Sequence, residues 1–365
     1  MQLAGSVRPS GAVPKTSLKR QVATNATAQS TKPVIPAAET MKLGRSDLEV
    51  SLIGVGGWSW GDSSGYWQDG SKDKTYGKAG AREAWDAMQE CGINFLDTAE
   101  VYGFNLSEKY IGEFDTDPAS AQSPIIATKF APLPWRQTSG SLVDACKASL
   151  ARLQTDQVGL YMQHWPGFFL NAFANDNYLK GLAECQQQGL CKAVGVSNFN
   201  AERIRNARKF LDKEGVPLAS NQVQYSLIYR APDENGVFEA CRENGVTLVA
   251  YSPLAQGLLT GKYSVQDRPR GQRSINFTED RTRRCEALVK ILREVGEEHG
   301  GKTPAQVAIN WVICKGALPI PGVKNAKQVR EAAGAFGWRL TEGEILTMED
   351  AARGIQSTGA PFEKW

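Results

Sequence analysis

Only two of the 365 residues are His, and the seven Cys include no C-x-x-C pair. A thiolate or imidazole set spaced for zinc is therefore missing, which argues against metal-dependent chemistry. The cysteines are odd in number and scattered over positions 91, 146, 185, 191, 241, 285 and 314, so they provide no disulfide framework and fit a reducing compartment. Long apolar runs are absent as well, and no membrane-spanning helix is expected. Acids are scarce in the first forty residues, where Arg8, Lys15, Lys19, Arg20 and Lys32 face Glu39 alone. The net charge of +3 resides in that segment, so the rest of the chain offers no basic surplus for nucleic acid. Residues 1–40 are otherwise rich in Ala, Ser, Thr and Pro, the composition of an organelle transit peptide, with an ordinary disordered tail as the alternative reading. A plastid is the expected location, the cytoplasm the alternative. Residues 41–365 are expected to form one domain.

From Met41 onward, strand and helix signals alternate. Met41–Gly44 and Leu48–Leu52 read as a hairpin turning near Arg45-Ser46-Asp47. Eight β-type runs follow: Ile53–Trp58, Asn94–Ala99, Ile125–Phe130, Val158–His164, Ala193–Ser197, Ser220–Tyr225, Thr247–Ser252 and Ala317–Pro321. Amphipathic helical patterns lie between them at Ala81–Cys91, Leu142–Leu153, Tyr178–Gln188, Ala201–Lys213, Val237–Asn244 and Arg284–His299, and Thr303-Pro304 opens another through Trp311. Alternation of this kind builds a parallel sheet covered by helices, and eight units fit a (β/α)8 TIM barrel. A doubly wound open sheet would place G-x-G-x-x-G after the first strand; Gly54-Val55-Gly56-Gly57-Trp58 lacks the third glycine and precedes no helix. Two long connections, Ser59–Lys78 and Gln256–Asp280, follow strands and so belong to the catalytic face.

Ionisable residues collect at strand ends on that face. Asp97 ends the second strand with Tyr102 five residues on, Lys129 stands near the end of the third, and His164 ends the fourth. A phenol has an ordinary pKa near 10, too high for efficient acid–base work at neutral pH, and a neighbouring ammonium lowers it. Lys129 is placed to supply that charge, Asp97 to hold Lys129, and His164 to orient a carbonyl oxygen toward the Tyr102 proton. No nucleophile–base pair is present, which leaves acyl transfer without a basis. Taken singly, each residue has a structural reading: a loop hydrogen-bonder, a packing ring, a core histidine. Four compatible groups on one rim argue for chemistry. The second histidine, His299, lies among Glu294, Glu297 and Glu298 and is expected to be exposed.

The run Gly92-Ile93-Asn94-Phe95-Leu96-Asp97-Thr98-Ala99-Glu100-Val101-Tyr102-Gly103 resembles the signature of the aldo-keto reductases, and the likeness extends from Met41 to about Glu344. The resemblance implies a catalytic tetrad of Asp97, Tyr102, Lys129 and His164. It also implies a nicotinamide cofactor. Ser197 and Asn198, in Gly195-Val196-Ser197-Asn198-Phe199, would bind the carboxamide with Gln222, and Tyr251 would stack on the ring. Ser252, Pro253, Leu254, Gln256, Gly257 and Lys262 would form the pyrophosphate loop, while Gly57 and Trp58 would touch cofactor and substrate space. The segment Ile320–Asn325, with Gly322, Lys324, Gln328 and Glu331, resembles the region around an adenosine 2′-phosphate, where helix-start N–H groups and a lysine suit an anion. The chain departs from the family in Ala332, where Asn is common, and in Gln328, at a frequent Arg position. NADP(H) is the expected cofactor, NAD(H) the alternative.

The expected activity is NADPH-dependent reduction of an aldehyde or ketone to an alcohol, of the NADP+-type alcohol dehydrogenase kind. Some relatives act instead as nicotinamide-binding regulatory subunits; they carry Asn at the His164 position, so the intact tetrad favours turnover. Aromatic residues in the rim loops (Trp60, Tyr66, Trp67, Trp135, Phe168, Phe169) suggest an apolar or planar carbonyl compound. Plastid relatives raise pyridoxal and reactive aldehydes as candidates. No interface pattern is visible, and a monomer is expected.

Overall fold

Each of the eight β-type runs becomes a strand in the computed structural model, which describes residues 38–67, 77–118, 120 and 123–355. Of the expected transit peptide, residues 1–40, the first 37 lie outside the described residues, and Thr40 already begins a strand. Strands β1 (Thr40–Lys42) and β2 (Glu49–Ser51) form the antiparallel hairpin, with Met41 opposite Val50. The next eight, β3 (Val55–Gly56), β4 (Phe95–Asp97), β5 (Ile125–Phe130), β6 (Val158–Gln163), β7 (Cys191–Ser197), β8 (Leu218–Gln224), β9 (Thr247–Tyr251) and β10 (Leu318–Ile320), pair in chain order as one parallel sheet. Gly54 N donates to Pro319 O and Gly56 N to Pro321 O, both at 2.9 Å, so the first strand meets the last. The sheet is a closed (β/α)8 barrel.

Helices α1 (Lys78–Glu90), α2 (Leu106–Asp115), α3 (Ser139–Leu153), α4 (Asn175–Gln187), α5 (Ala201–Lys213), α6 (Ala231–Glu234), α7 (Val237–Glu243), α8 (Glu279–Glu298), α9 (Pro304–Cys314), α10 (Ala326–Ala333) and α11 (Glu342–Ala351) supply the outer layer. Their starts are written into the sequence: Thr138, Thr303 and Thr341 each close a capping box with Ser141, Gln306 and Glu344, and Asn200, Thr278 and Asn325 cap α5, α8 and α10. The connection expected to be open from Gln256 to Asp280 holds two 3-10 turns, Ala255–Thr260 and Gly271–Asn276, before α8 begins. Of the other long connection, residues 68–76 lie outside the described residues, and α1 starts at Lys78.

Strand parity divides the interior into an apolar floor and a polar mouth. Side chains two apart on a strand share a face. Phe95, Ala127, Leu160, Met162, Ala193, Ala219, Val249, Leu318 and Ile320 pack together inside the barrel. One inward step along the strands come Asp97, Lys129, His164, Ser197 and Tyr251, with Gln222 on the inward face of β8 after Ser220. Residues of opposite parity, such as Tyr161, Val194, Val196 and Leu248, join the second core between strands and helices. Alternation thus fixes which residues reach the mouth, except in β8, where a register shift beside Val194 and Gly195 lets both Ala219 and Gln222 face inward.

The hairpin plugs the floor with Leu43, Leu48 and Val50. Its turn needs glycine: Gly44 has φ +56°, and a Cβ there would lie 2.2 Å from Ala219 O of β8. Gly44→Ala is expected to cost about 2–4 kcal/mol through left-handed strain and a backbone clash. Urea unfolding would register this as a lower midpoint with an unchanged slope.

Candidate active site

The four ionisable residues expected at the mouth meet there. Lys129 Nζ, fully buried, donates to Asp97 Oδ2 at 2.7 Å, to Thr98 O at 2.7 Å and to Tyr102 OH at 3.2 Å, which uses all three ammonium protons. Gln222 Nε2 donates to the other carboxylate oxygen of Asp97 at 2.7 Å. His164 stands edge-on to Tyr102 with ring centroids 5.6 Å apart. Tyr102 is held over the mouth by the turn that follows it, in which Gly103, Phe104 and Asn105 all have positive φ (55°, 53° and 74°). For Phe104 this is a strained conformation, of the kind that gathers at functional sites.

One expectation reverses. Lys129 does not bring the Tyr102 pKa below its ordinary value, because the cost of burying a phenolate outweighs the pull of the ammonium. Burial, with further contributions from Asp97 and Tyr251, pushes the phenol well above its ordinary value. Tyr102 is therefore a protonated phenol at neutral pH, a proton store rather than a ready base. Burial also lowers Lys129 from the ordinary lysine value, partly opposed by Asp97, and raises Asp97. His164 is driven well below its ordinary value by burial and by Lys129, so its imidazole is neutral. Its Nδ1 has no hydrogen-bond partner among the described residues.

Beside this centre a cleft of about 960 Å³ opens along the mouth, at the upper end of ligand-pocket sizes. Trp58, Asp97, Tyr102, His164 and Trp165 line one end. Ser197, Asn198, Gln222 and Tyr251 line the middle, tied by Ser197 Oγ to Gln222 O (2.8 Å), Asn198 Nδ2 to Ser197 Oγ (3.1 Å) and Tyr251 OH to Asn198 Oδ1 (3.1 Å). Ser252, Pro253, Leu254, Gln256, Gly257 and Lys262 also line it, as do Gly322, Lys324, Gln328 and Glu331. Asn198, Ser252, Ala255 and Gln256 all have positive φ, a cluster of strained non-glycine backbone along one wall. Two expected residues do not line the cleft: Lys129 lies beneath Tyr102, and Gly57 packs against Asp97 O, leaving Gly56 on the wall.

Arg273 is the wall residue that sequence reasoning passed over. It is buried, stacks on Tyr263 and Phe277, donates to Gln256 O at 2.7 Å, and forms no ion pair among the described residues. A buried guanidinium without a counter-ion is costly and calls for an anionic ligand. Neighbouring Arg268 and Arg270 share its composition, so only the fold distinguishes it. Two aromatic expectations change as well. Trp60 is buried away from the mouth and donates to Val323 O at 2.8 Å. His299 is half-buried, pairs with Glu344 at 2.8 Å and stacks on Trp338, tying α8 to α11 instead of facing solvent.

A family model, the Aldo/keto reductase family, matches residues 52–353. The chain belongs to the aldo/keto reductase family. It is 39% identical to the chloroplastic pyridoxal reductase of Arabidopsis thaliana over 86% of either chain. An aldo-keto reductase of Schizosaccharomyces pombe whose name specifies NADP(+) is 29% identical over 75% of this chain and 82% of its own. Among solved structures, the glycerol dehydrogenase of Gluconobacter oxydans superposes with a TM-score of 0.73 at 26% identity, covering 89% of this chain and 99% of that one. Membership makes this aldo-keto reductase an oxidoreductase that acts on small carbonyl compounds. Among the described residues, no helix is long and apolar enough to cross a membrane.

Proposed function

We propose that this aldo-keto reductase reduces an aldehyde or ketone with NADPH, with Tyr102 as proton donor, in a plastid. The observation that carries the reading is the protonated, half-buried Tyr102, touched by the Lys129 ammonium and flanked by a neutral His164. A carbonyl oxygen placed between the Tyr102 hydroxyl and a His164 N–H would accept two hydrogen bonds as negative charge develops on it. The phenol then gives up its proton, and the adjacent ammonium stabilises the phenolate left behind.

A nicotinamide dinucleotide fits the residues that line the cleft. Arg273 offers an unsatisfied buried charge, with Lys262 nearby, to a pyrophosphate, while Lys324 at the entry of α10 suits a ribose phosphate. Ser197, Asn198 and Gln222 present amide and hydroxyl groups to a carboxamide, and Tyr251 offers a ring to stack on. When bound, the nicotinamide supplies the hydride. The name of the Schizosaccharomyces pombe relative supports NADP(H).

Val101, Phe104, Trp135, Phe169, Leu170 and Phe173 project from the loops after β4, β5 and β6, each at least 40% exposed. They suit an apolar or planar carbonyl compound. The Arabidopsis relative supports both pyridoxal as a candidate and a plastid location. His164 beside Tyr102 favours turnover over a purely regulatory nicotinamide-binding role. The test is NADPH oxidation against a panel of aldehydes, ketones and pyridoxal, with NADH in parallel. Consumption of NADPH with at least one aldehyde, and weaker use of NADH, is expected. Tight NADPH binding without turnover of any panel member would instead establish the regulatory role.

A further inference from the structure

Trp67, read from the sequence only as one of the rim aromatics, lines the cleft. The loop after β3 presents it under close local control: Asp62 accepts from Ser64 N at 2.9 Å and from Trp67 N at 3.0 Å. Across the mouth, Gln272 Nε2 donates to Ser64 O at 3.1 Å, and Tyr66 OH donates to Gln256 Oε1 at 3.1 Å. The ring so placed touches both ends of the cleft. At the phosphate end, the Arg273 guanidinium lies over it at 5.2 Å from the centroid and the Lys324 ammonium at 5.3 Å. At the carbonyl end, its edge meets Trp58 at 5.0 Å, and Trp58 in turn faces Tyr102 at 6.3 Å. The indole Nε1–H is buried and has no partner among the described residues.

We propose that Trp67 couples the phosphate end of the cleft to the carbonyl pocket, so that occupancy of the first sets the geometry of the second. The inference rests on the cofactor reading given above. An anion arriving at Arg273 and Lys324 competes with the indole face for both cations, because a charge-assisted hydrogen bond outweighs a cation–π contact. The free Nε1–H adds a donor that a phosphate oxygen can take up directly. Either change re-aims the indole, and its edge bears on Trp58, the wall against which a carbonyl compound must lie. A 2′-phosphate, although remote from the reacting atoms, then enters the affinity for the substrate. Contiguous packed groups are the physical means of such coupling, and its size is measurable as a ratio of affinities.

The experiment measures the carbonyl KM with NADPH and with NADH in the parent, Trp67→Leu, Lys324→Met and the double variant. It also measures by calorimetry the affinity of benzoate, an unreactive carboxylate able to accept from Tyr102 and His164, on the NADP+ and NAD+ complexes. In the parent, the substrate KM and the benzoate Kd are each expected to be about fivefold more favourable with the phosphorylated cofactor, in the range of ordinary coupling energies. Trp67→Leu is expected to erase that difference at saturating cofactor, and adding Lys324→Met to it, although it weakens the hold on the phosphorylated cofactor, is expected not to restore the difference. Trp67→Phe, which keeps an aromatic face without the N–H, is expected to retain part of the difference. Equal values with both cofactors in the parent, or a difference that survives Trp67→Leu, would overturn the coupling. Failure of NADPH to bind at all would overturn the cofactor reading on which it stands. Binding with no turnover leaves the benzoate ratio to decide the coupling alone.

Discussion

Tyr102→Phe is expected to lower kcat for carbonyl reduction by about 10²- to 10⁴-fold, the usual contribution of a positioned acid, while NADPH binds as before. The substitution removes one oxygen and leaves the ring. Packing against Trp58 and His164 is kept, so the mouth has no reason to collapse. Lys129 loses its 3.2 Å partner but retains Asp97 and Thr98 O, both at 2.7 Å, so the ion pair persists. The loss therefore reports proton delivery and not disorder. Fluorescence titration with NADPH and steady-state kinetics on the same preparation separate the two. Turnover equal to the parent would remove Tyr102 from the mechanism.

The protonated phenol also gives the site a direction. Reduction requires the phenol, oxidation of an alcohol requires the phenolate. Because burial holds Tyr102 well above its ordinary value, reduction is equipped at neutral pH and oxidation is not. Initial rates in the two directions are expected to diverge accordingly, with oxidation rising as pH is raised.

The strand-end residues were legible because a barrel strand has a period of two. Once Phe95 and Ala127 are assigned inward by hydrophobicity, Asp97 and Lys129 have no other place to go. The family motif around Tyr102 then confirmed a pattern already present in the strands. Helix α2 was not legible, since its approach runs through three left-handed residues ending at Asn105, which caps no N–H with its side chain. Helix α11 was missed although Thr341 and Glu344 form a capping box, because it buries little and carries a weak apolar stripe.

Arg273 is an omission of another kind, and Trp67, although counted among the rim aromatics, could not be given its partners. Each is commonplace in its local sequence, and each matters through partners far along the chain, such as Gln256, Trp58 and Lys324. The sign of the Tyr102 shift lay equally out of reach. It is set first by the cost of burying a phenolate, to which Asp97 and Tyr251 add, and that burial exists only once the strands and loops are assembled.

Lys129→Met carries the other large expected effect, and it acts on chemistry and fold together. With the ammonium gone, Tyr102 loses the charge that would receive its phenolate, and turnover is expected to fall by about 10²- to 10⁴-fold. Asp97 is left buried beside Gln222 without a counter-ion, and breaking a buried pair in this way costs about 3–5 kcal/mol of stability. The two effects separate in Asp97→Asn/Lys129→Met. Removing both charges is expected to recover most of the stability, since no uncompensated carboxylate remains, and none of the turnover. The pH profile supplies an independent sign. Burial sets the Lys129 pKa below 10.5, so activity in the parent is expected to fall with rising pH as the ammonium deprotonates, before the phenol ionises well above 10.0. In Lys129→Met that limb has no group to produce it, and the residual rate is expected to stay level over the same interval. An unaltered alkaline limb in the variant would assign the titration to another group and deny Lys129 its part in the proton transfer.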